Sequence, residues 1–236
     1  MAADGAGSWR LMWSPVPRRD GLRAFTRIEE DRAGSHPGVP HIRALGTMYR
    51  FDIHYPGDVD TYPDRQRQEV KDMRVDGRER RAAEGETWRF GWSWYLPAAL
   101  RATTSFTHVH QLFASGPGGG PLMMISLRRR QGRDLLELNA HHAGVVVGAT
   151  DLRPLRSRWI GVDLEVGFAR GDGGRVRWRV TTEDATAVEV ERDGLDTWLG
   201  TQGISPKWGI YRSLKDTARL NDAHLLLKDL RAHLRT

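Results

Sequence analysis

The residues best equipped for chemistry stand in one octet, Pro206-Lys207-Trp208-Gly209-Ile210-Tyr211-Arg212-Ser213. In an extended chain, side chains alternate between faces. Lys207, Gly209, Tyr211 and Ser213 then share one face, and Trp208, Ile210 and Arg212 share the other. A cation and a phenol flank a residue without a side chain, where a ligand or another backbone can come close. A nearby positive charge favours the charged form of a phenol, so Tyr211 becomes a candidate proton carrier. The same octet also reads as an amphipathic strand with a solvated lysine and a half-buried tyrosine. The rest of the chain decides between the two.

Two further stretches bear on that choice. Extended residues 65–74 put Arg65, Arg67, Glu69 and Lys71 on one face. Such a row reads either as a solvated edge or as the lining of a polar cleft, in which Glu69 holds the cationic heads by ion pairs. Residues 106–113 put Thr107, Val109, Gln111 and Phe113 on one face, and His108 and His110 on the other. Two histidines at i and i+2 can ligate a metal, but no third ligand stands nearby and no metal site is assigned. The nearest approach to a paired-carboxylate hydrolase is Asp163-Leu164-Glu165, which sits in an apolar stretch without a further partner. Glycine-rich phosphate loops, HExxH and a Gly-x-Ser-x-Gly elbow are all absent from the sequence.

Composition narrows the field. The chain has 236 residues, 39% hydrophobic and 28% charged, in the range of ordinary globular proteins. It lacks cysteine, which rules out disulfides and thiolate metal sites. No apolar run is long enough to span a bilayer as a helix. Residues 1–8 are small and polar, without the apolar core of a signal peptide, and are expected to be disordered or a remnant of expression. The net charge of +6 points to a polyanionic partner, either nucleic acid through its phosphates or an acidic polysaccharide through its carboxylates.

These residues need strands to hold them. Alternating stretches bounded by turn residues occur at 22–28, 48–54, 65–74, 106–113, 121–128, 135–139, 144–149, 159–168, 174–181 and 189–191. Residues 87–97 carry aromatics at nearly every position and read as a strand buried between two layers. Residues 224–230 alternate poorly and fit a strand or a short helix; a strand is favoured because helical periodicity is almost absent elsewhere. Residues 9–30 read as an irregular opening, and 75–86 as charged turns. The pattern predicts an all-β, two-sheet antiparallel β-sandwich in one domain spanning 1–236, a jelly roll of the concanavalin A-like kind with an open substrate groove.

Three segments read together carry a resemblance. Arg67-Gln68-Glu69-Val70-Lys71, His108-Val109-His110-Gln111 and Lys207-Trp208-Gly209-Ile210-Tyr211-Arg212 resemble, in order and spacing, the cleft strands of jelly-roll polysaccharide lyases. Asp64-Arg65-Gln66-Arg67 and the run ending Tyr95-Leu96-Pro97 add to it. The pattern is similar to the heparin-lyase-like group, and most to the β-1,4-glucuronan lyases, over roughly residues 45–230. It departs from the alginate lyases of this fold, which have Gln-x-His on one face. Here Phe113 follows Gln111 at i+2, so a histidine in that role has to come from elsewhere.

The resemblance implies β-elimination in a 4-linked uronate polymer. A C5 proton leaves, the bond to O4 breaks, and a 4,5-unsaturated uronate remains. The implied catalytic residues are Tyr211 as base and acid, Lys207 to steady its phenolate, and Gln111 and Arg67 to neutralise the substrate carboxylate. Lys71, Glu69, Arg65, His110 and Arg212 are the implied substrate-binding residues. Such chemistry requires no cofactor; a structural calcium ion is compatible with the resemblance, but no dense carboxylate loop requires one. The implied protein is a secreted monomer whose partner is an acidic polysaccharide rather than nucleic acid or a membrane. The alternatives are a non-catalytic carbohydrate-binding module for acidic polysaccharides and a nucleic-acid binder that stacks bases on its aromatics.

Overall fold

A computed structural model describes residues 7–236. In chain order its strands are β1 (Trp9–Trp13), β2 (Arg27–Glu29), β3 (Ile42–Leu45), β4 (Met48–Ile53), β5 (Arg65–Lys71) and β6 (Met73–Val75). Then come β7 (Arg78–Arg80), β8 (Thr87–Tyr95), β9 (Thr107–Ala114), β10 (Gly120–Arg130), β11 (Arg133–Ala140) and β12 (Val145–Asp151). The last are β13 (Trp159–Gly167), β14 (Gly174–Thr181), β15 (Thr186–Leu195), β16 (Ile204–Ser213) and β17 (Ala223–Arg235). One sheet runs β15-β14-β13-β8-β17-β4-β3, with β1 added on β17; the other runs β12-β11-β10-β9-β16-β5-β2. All pairings between these strands are antiparallel, and the two sheets form a β-sandwich jelly roll, as the sequence predicts.

The core between the sheets explains why the aromatic run folds as it does. Trp88, Phe90, Trp92 and Trp94 of β8 are at most 1% exposed and point inward, whereas Arg89, Ser93 and Tyr95 are only partly covered. The expectation of a strand buried on both faces is therefore corrected to one buried face. Trp92 lies edge-on to Trp208 of β16 at 6.1 Å, and Trp208 stacks on Trp13 of β1 at 5.5 Å. Fully burying such a side chain contributes roughly 1.5–3 kcal/mol, so this cluster is a main anchor of sheet on sheet.

Several local expectations change. The opening segment forms β1 and a short helix, Pro17–Asp20, and residues 22–28 are a 3-10 turn followed by β2. Residues 73–80 form a small hairpin, β6–β7. Residues 224–230 are part of the 13-residue strand β17, and their poor alternation has a cause: the register shifts between Lys228 and Arg231, with Asp229 at φ 55°. The expectation for residues 1–6 lies outside the described residues. The Ser8 hydroxyl lies 2.5 Å from that of Thr236.

Candidate active site

The outer face of the seven-stranded sheet brings the sequence-predicted residues together across three adjacent strands. β5 and β16 pair in regular register, with Lys71 opposite Lys207, Glu69 opposite Gly209 and Arg67 opposite Tyr211. On the other side of β16, Lys207 lies opposite Gln111 and Tyr211 opposite His108 of β9. Gly209 is fixed by the backbone rather than left as a bare floor. Its φ is +138°, and a Cβ there would lie 2.2 Å from the Gln68 carbonyl oxygen. The close approach that glycine permits is made by β5 itself.

At the centre lies a network built on Glu69, which is fully buried. Its carboxylate accepts from Gln111 Nε2 at 2.6 Å, and it lies 2.8 Å from Lys207 Nζ and 3.2 Å from Arg67 Nη1. Glu29, on the neighbouring β2, lies 2.5 Å from Lys207 and 3.1 Å from Arg67. Asp60 accepts from Arg67 Nε at 3.1 Å. Burial works to raise the Glu29 pKa, but the charges and hydrogen bonds of Lys207 and Arg67 outweigh it and hold the carboxyl low. The row of mixed charge is thus a cross-linked floor, with Glu69 holding the cationic heads as its position suggests.

Tyr211 stands at the edge of this floor, half-buried. Arg65 Nη1 donates to its hydroxyl at 2.7 Å, and the Arg67 guanidinium lies 3.8 Å over its ring. Arg65 is itself held by Asp64 at 2.6 Å. The cation on the phenol oxygen is therefore Arg65, whereas Lys207 is engaged by Glu29 and Glu69. The expectation that Lys207 steadies the phenolate is revised accordingly.

The histidines of β9 part company. Val109 is an extra residue against β10, where Ile125 pairs with His110 and Ser126 with His108. This bulge breaks the alternation. His110 points into the core, 4.6 Å from Trp92 and 5.3 Å from Trp208, and is 1% exposed. Its assignment to substrate binding is a misreading. His108 emerges on the outer face, its ring 5.8 Å from that of Tyr211 and its Nδ1 2.7 Å from the Ser126 hydroxyl. Strict alternation hid this residue, and nothing in the sequence marks the bulge. His108, at i−3 from Gln111, is thus a histidine on the same outer face as Tyr211. Arg212 is also corrected: it is 2% exposed on the inner face and donates from Nε to Gln66 at 2.8 Å. Burial lowers its pKa to about 10.

Lys71 stands on the outer face near Phe113, its Nζ 5.0 Å from the ring centroid and 3.4 Å from the Ser115 hydroxyl. Burial lowers its pKa. Lys71 makes no ion pair among the described residues. The Asp163–Glu165 pair lies on the outer face of the opposite sheet. Asp163 is near Arg89 and Arg231, and Glu165 is bonded to Arg175.

Burial lowers the pKa of both His108 and His110 to about 3. Above pH 6.5 both rings are neutral in the folded and unfolded chains alike. Between pH 6.5 and 3 the unfolded chain binds protons that the folded one refuses, so stability falls as pH falls. Each histidine contributes up to about 1.4 kcal/mol per pH unit to that slope. His110→Phe keeps a ring in the pocket and should remove about half of this paired contribution. Urea unfolding midpoints at pH 7 and pH 5 measure it; an unchanged pH dependence in the variant contradicts the assignment.

Comparison with solved structures places the fold. The alginate lyase A1-II' of family 7, in complex with product, superposes with a TM-score of 0.63 at 14% identity, covering 94% of this chain and 99% of that one. The alginate lyase AlgAT5 from polysaccharide lyase family 7 gives 0.56 at 16% identity, covering 98% and 95%. The endo-β-1,4-glucuronan lyase of the fungus Trichoderma reesei gives 0.52 at 13% identity, covering 88% and 94%. No protein-family model and no curated protein matches the chain. At these identities the likeness is one of fold.

Proposed function

We propose that this protein is a polysaccharide lyase that cleaves a 4-linked uronate polymer, foremost β-1,4-glucuronan, by β-elimination. The observation that carries the reading is Tyr211. Its hydroxyl is held by a guanidinium on the outer face of a lyase-type sheet, beside Arg67 and the neutral imidazole of His108, with Gln111 farther along the same face opposite Lys207. The fold shared with alginate and glucuronan lyases supports it.

In this reading a uronate lies along β9, β16 and β5 with its carboxylate toward Gln111 and Arg67. An amide nitrogen has two hydrogens, and Gln111 gives one to Glu69; the other is free to meet the carboxylate. Arg67 makes its hydrogen bonds through Nε and Nη1, leaving Nη2 for the same anion. Neutralising this carboxylate matters most as C5 loses its proton and enolate-like charge develops on it. The Tyr211 phenolate, held by Arg65, takes the C5 proton. The C5–H electrons form the C4–C5 double bond, the C4–O4 bond breaks, and Tyr211 returns the proton to O4. In a 4-linked glucuronate H5 and O4 lie on one side of the ring, so one residue serves both steps. Lys207 and Glu69 keep Gln111 and Arg67 in place, and Lys71 meets a neighbouring uronate. The reading carries with it an exported enzyme, because such polymers are met outside cells. Among the described residues no helix is long and apolar enough to cross a membrane.

A panel of polyglucuronate, alginate, heparin and hyaluronan tests the substrate. Polyglucuronate should give the ultraviolet absorbance of a 4,5-unsaturated uronate fastest. Binding without a chromophore on every polymer would instead favour a carbohydrate-binding module.

A further inference from the structure

A second cluster of chemistry-bearing side chains lies outside this face. Two connections cross between the sheets, β2 to β3 and β4 to β5. The first carries His36 and His41, and the second carries His54 and Asp58. One potential ligand atom from each of the four lies within 4.8 Å of all the others. Asp58 Oδ1 lies 2.9 Å from His36 Nδ1 and 2.9 Å from His41 Nε2, and its Oδ2 lies 3.1 Å from His54 Nδ1. The three rings stand 5.0–5.4 Å apart at 65–85° to one another. Metal–ligand bonds of about 2.0–2.1 Å in a tetrahedron put ligand atoms roughly 3.3 Å apart, close to the three Asp58–histidine separations.

His41 supplies an independent observation. It is fully buried, and its Nδ1 has no hydrogen-bond partner. That Nδ1 faces the Glu30 carboxylate at 3.9 Å, beyond hydrogen-bond reach. If Nε2 binds a cation, Nδ1 carries the hydrogen and faces that carboxylate favourably. A metal-bound histidine usually orients itself in this way. Glu30 is fixed for the task, accepting from the Ile42 backbone at 2.8 Å and from that of His41. His36 and His54 are about a third exposed, which gives an ion access.

We infer that His36, His41, His54 and Asp58 bind one divalent ion of the zinc class, which staples the two sheet-to-sheet connections. Three imidazoles and one carboxylate suit zinc and its neighbours rather than calcium or magnesium, which prefer oxygen. The stapled segment leads into Asp60 and Asp64, which hold Arg67 and Arg65. The ion therefore acts as a structural support of the candidate active site and takes no part in proton transfer.

The test uses the full chain without a polyhistidine tag. The protein is stripped with a chelator and titrated with Zn2+ by calorimetry, and Co2+ is added in parallel to read the visible absorption of a four-coordinate site. One equivalent should bind. Zn2+ at about a hundredfold above its dissociation constant should raise the melting temperature by roughly 5–10 °C. Glu30→Gln should weaken binding by about 10–100-fold. His41→Ala opens a buried cavity and risks misfolding, so the decisive variant is the partly exposed pair His36→Ala/His54→Ala, which should fold and lose both binding and the thermal shift. If the unaltered chain binds neither Zn2+ nor Co2+ stoichiometrically at 100 μM or so, or if the double variant binds as well as the unaltered chain, the cluster is a hydrogen-bonded carboxylate–imidazole group and the inference fails.

Discussion

Tyr211→Phe should abolish turnover on polyglucuronate while leaving the fold and substrate binding in place. The substitution removes one oxygen. The ring keeps its place 3.8 Å beneath the Arg67 guanidinium and 5.1 Å from Phe106. What is lost structurally is the hydrogen bond from Arg65, at a half-exposed position, with a stability effect of about 1 kcal/mol or less. What is lost chemically, on the proposed mechanism, is both proton transfers. A positioned acid or base contributes about 10²–10⁴-fold, so removing a group that acts as both should cost at least about 10³-fold in kcat. KM should change little, because the carboxylate binders are untouched. Steady-state rates with oligosaccharide binding measured alongside decide it. Near-normal turnover removes Tyr211 from the mechanism even if the lyase activity stands.

Glu69→Ala should have the largest effect on stability of any single change at the site. It leaves Gln111 without its acceptor and removes one of the carboxylates that compensate Lys207 and Arg67 below the surface. Breaking a buried charge network by removing one partner costs about 3–5 kcal/mol. Glu29 and Asp60 remain to share the two cations, which puts the expected loss near the lower end. For a chain of this size, about 3 kcal/mol lowers the melting temperature by roughly 6–12 °C. Activity should fall as well, because Gln111 and Arg67 lose the group that aims them. A melting temperature within a degree of the unaltered protein would show that Glu69 does not organise the floor.

Much of this arrangement was legible in the sequence where alternation is regular. β5 and β16 carry no bulge against each other, so Arg65, Arg67, Glu69, Lys71, Lys207 and Tyr211 fall on one face as a period of two requires. The failures sit where the backbone departs from that period. The extra residue Val109 turns His108 outward while His110 stays in, and no side chain announces it. The same effect at Asp229 blurred β17. Arg212 was legible by face but was assigned by charge; its place opposite Tyr211 in the alternation already pointed inward. The partner of the Tyr211 hydroxyl lay beyond strand reasoning, because it depends on how far Arg65 reaches across from β5. The His36–Asp58 cluster joins two loops that are distant from strand periodicity, and only the crossing of the connections brings them together.

The central claim is elimination, and the most direct measurement counts double bonds against chain ends. Polyglucuronate is digested, and the new ultraviolet chromophore and the new reducing ends are followed in the same sample. Elimination by Tyr211 produces one 4,5-unsaturated uronate for every reducing end formed, at all stages of the digest. Reducing ends that accumulate without the chromophore would mean hydrolysis and would contradict the account.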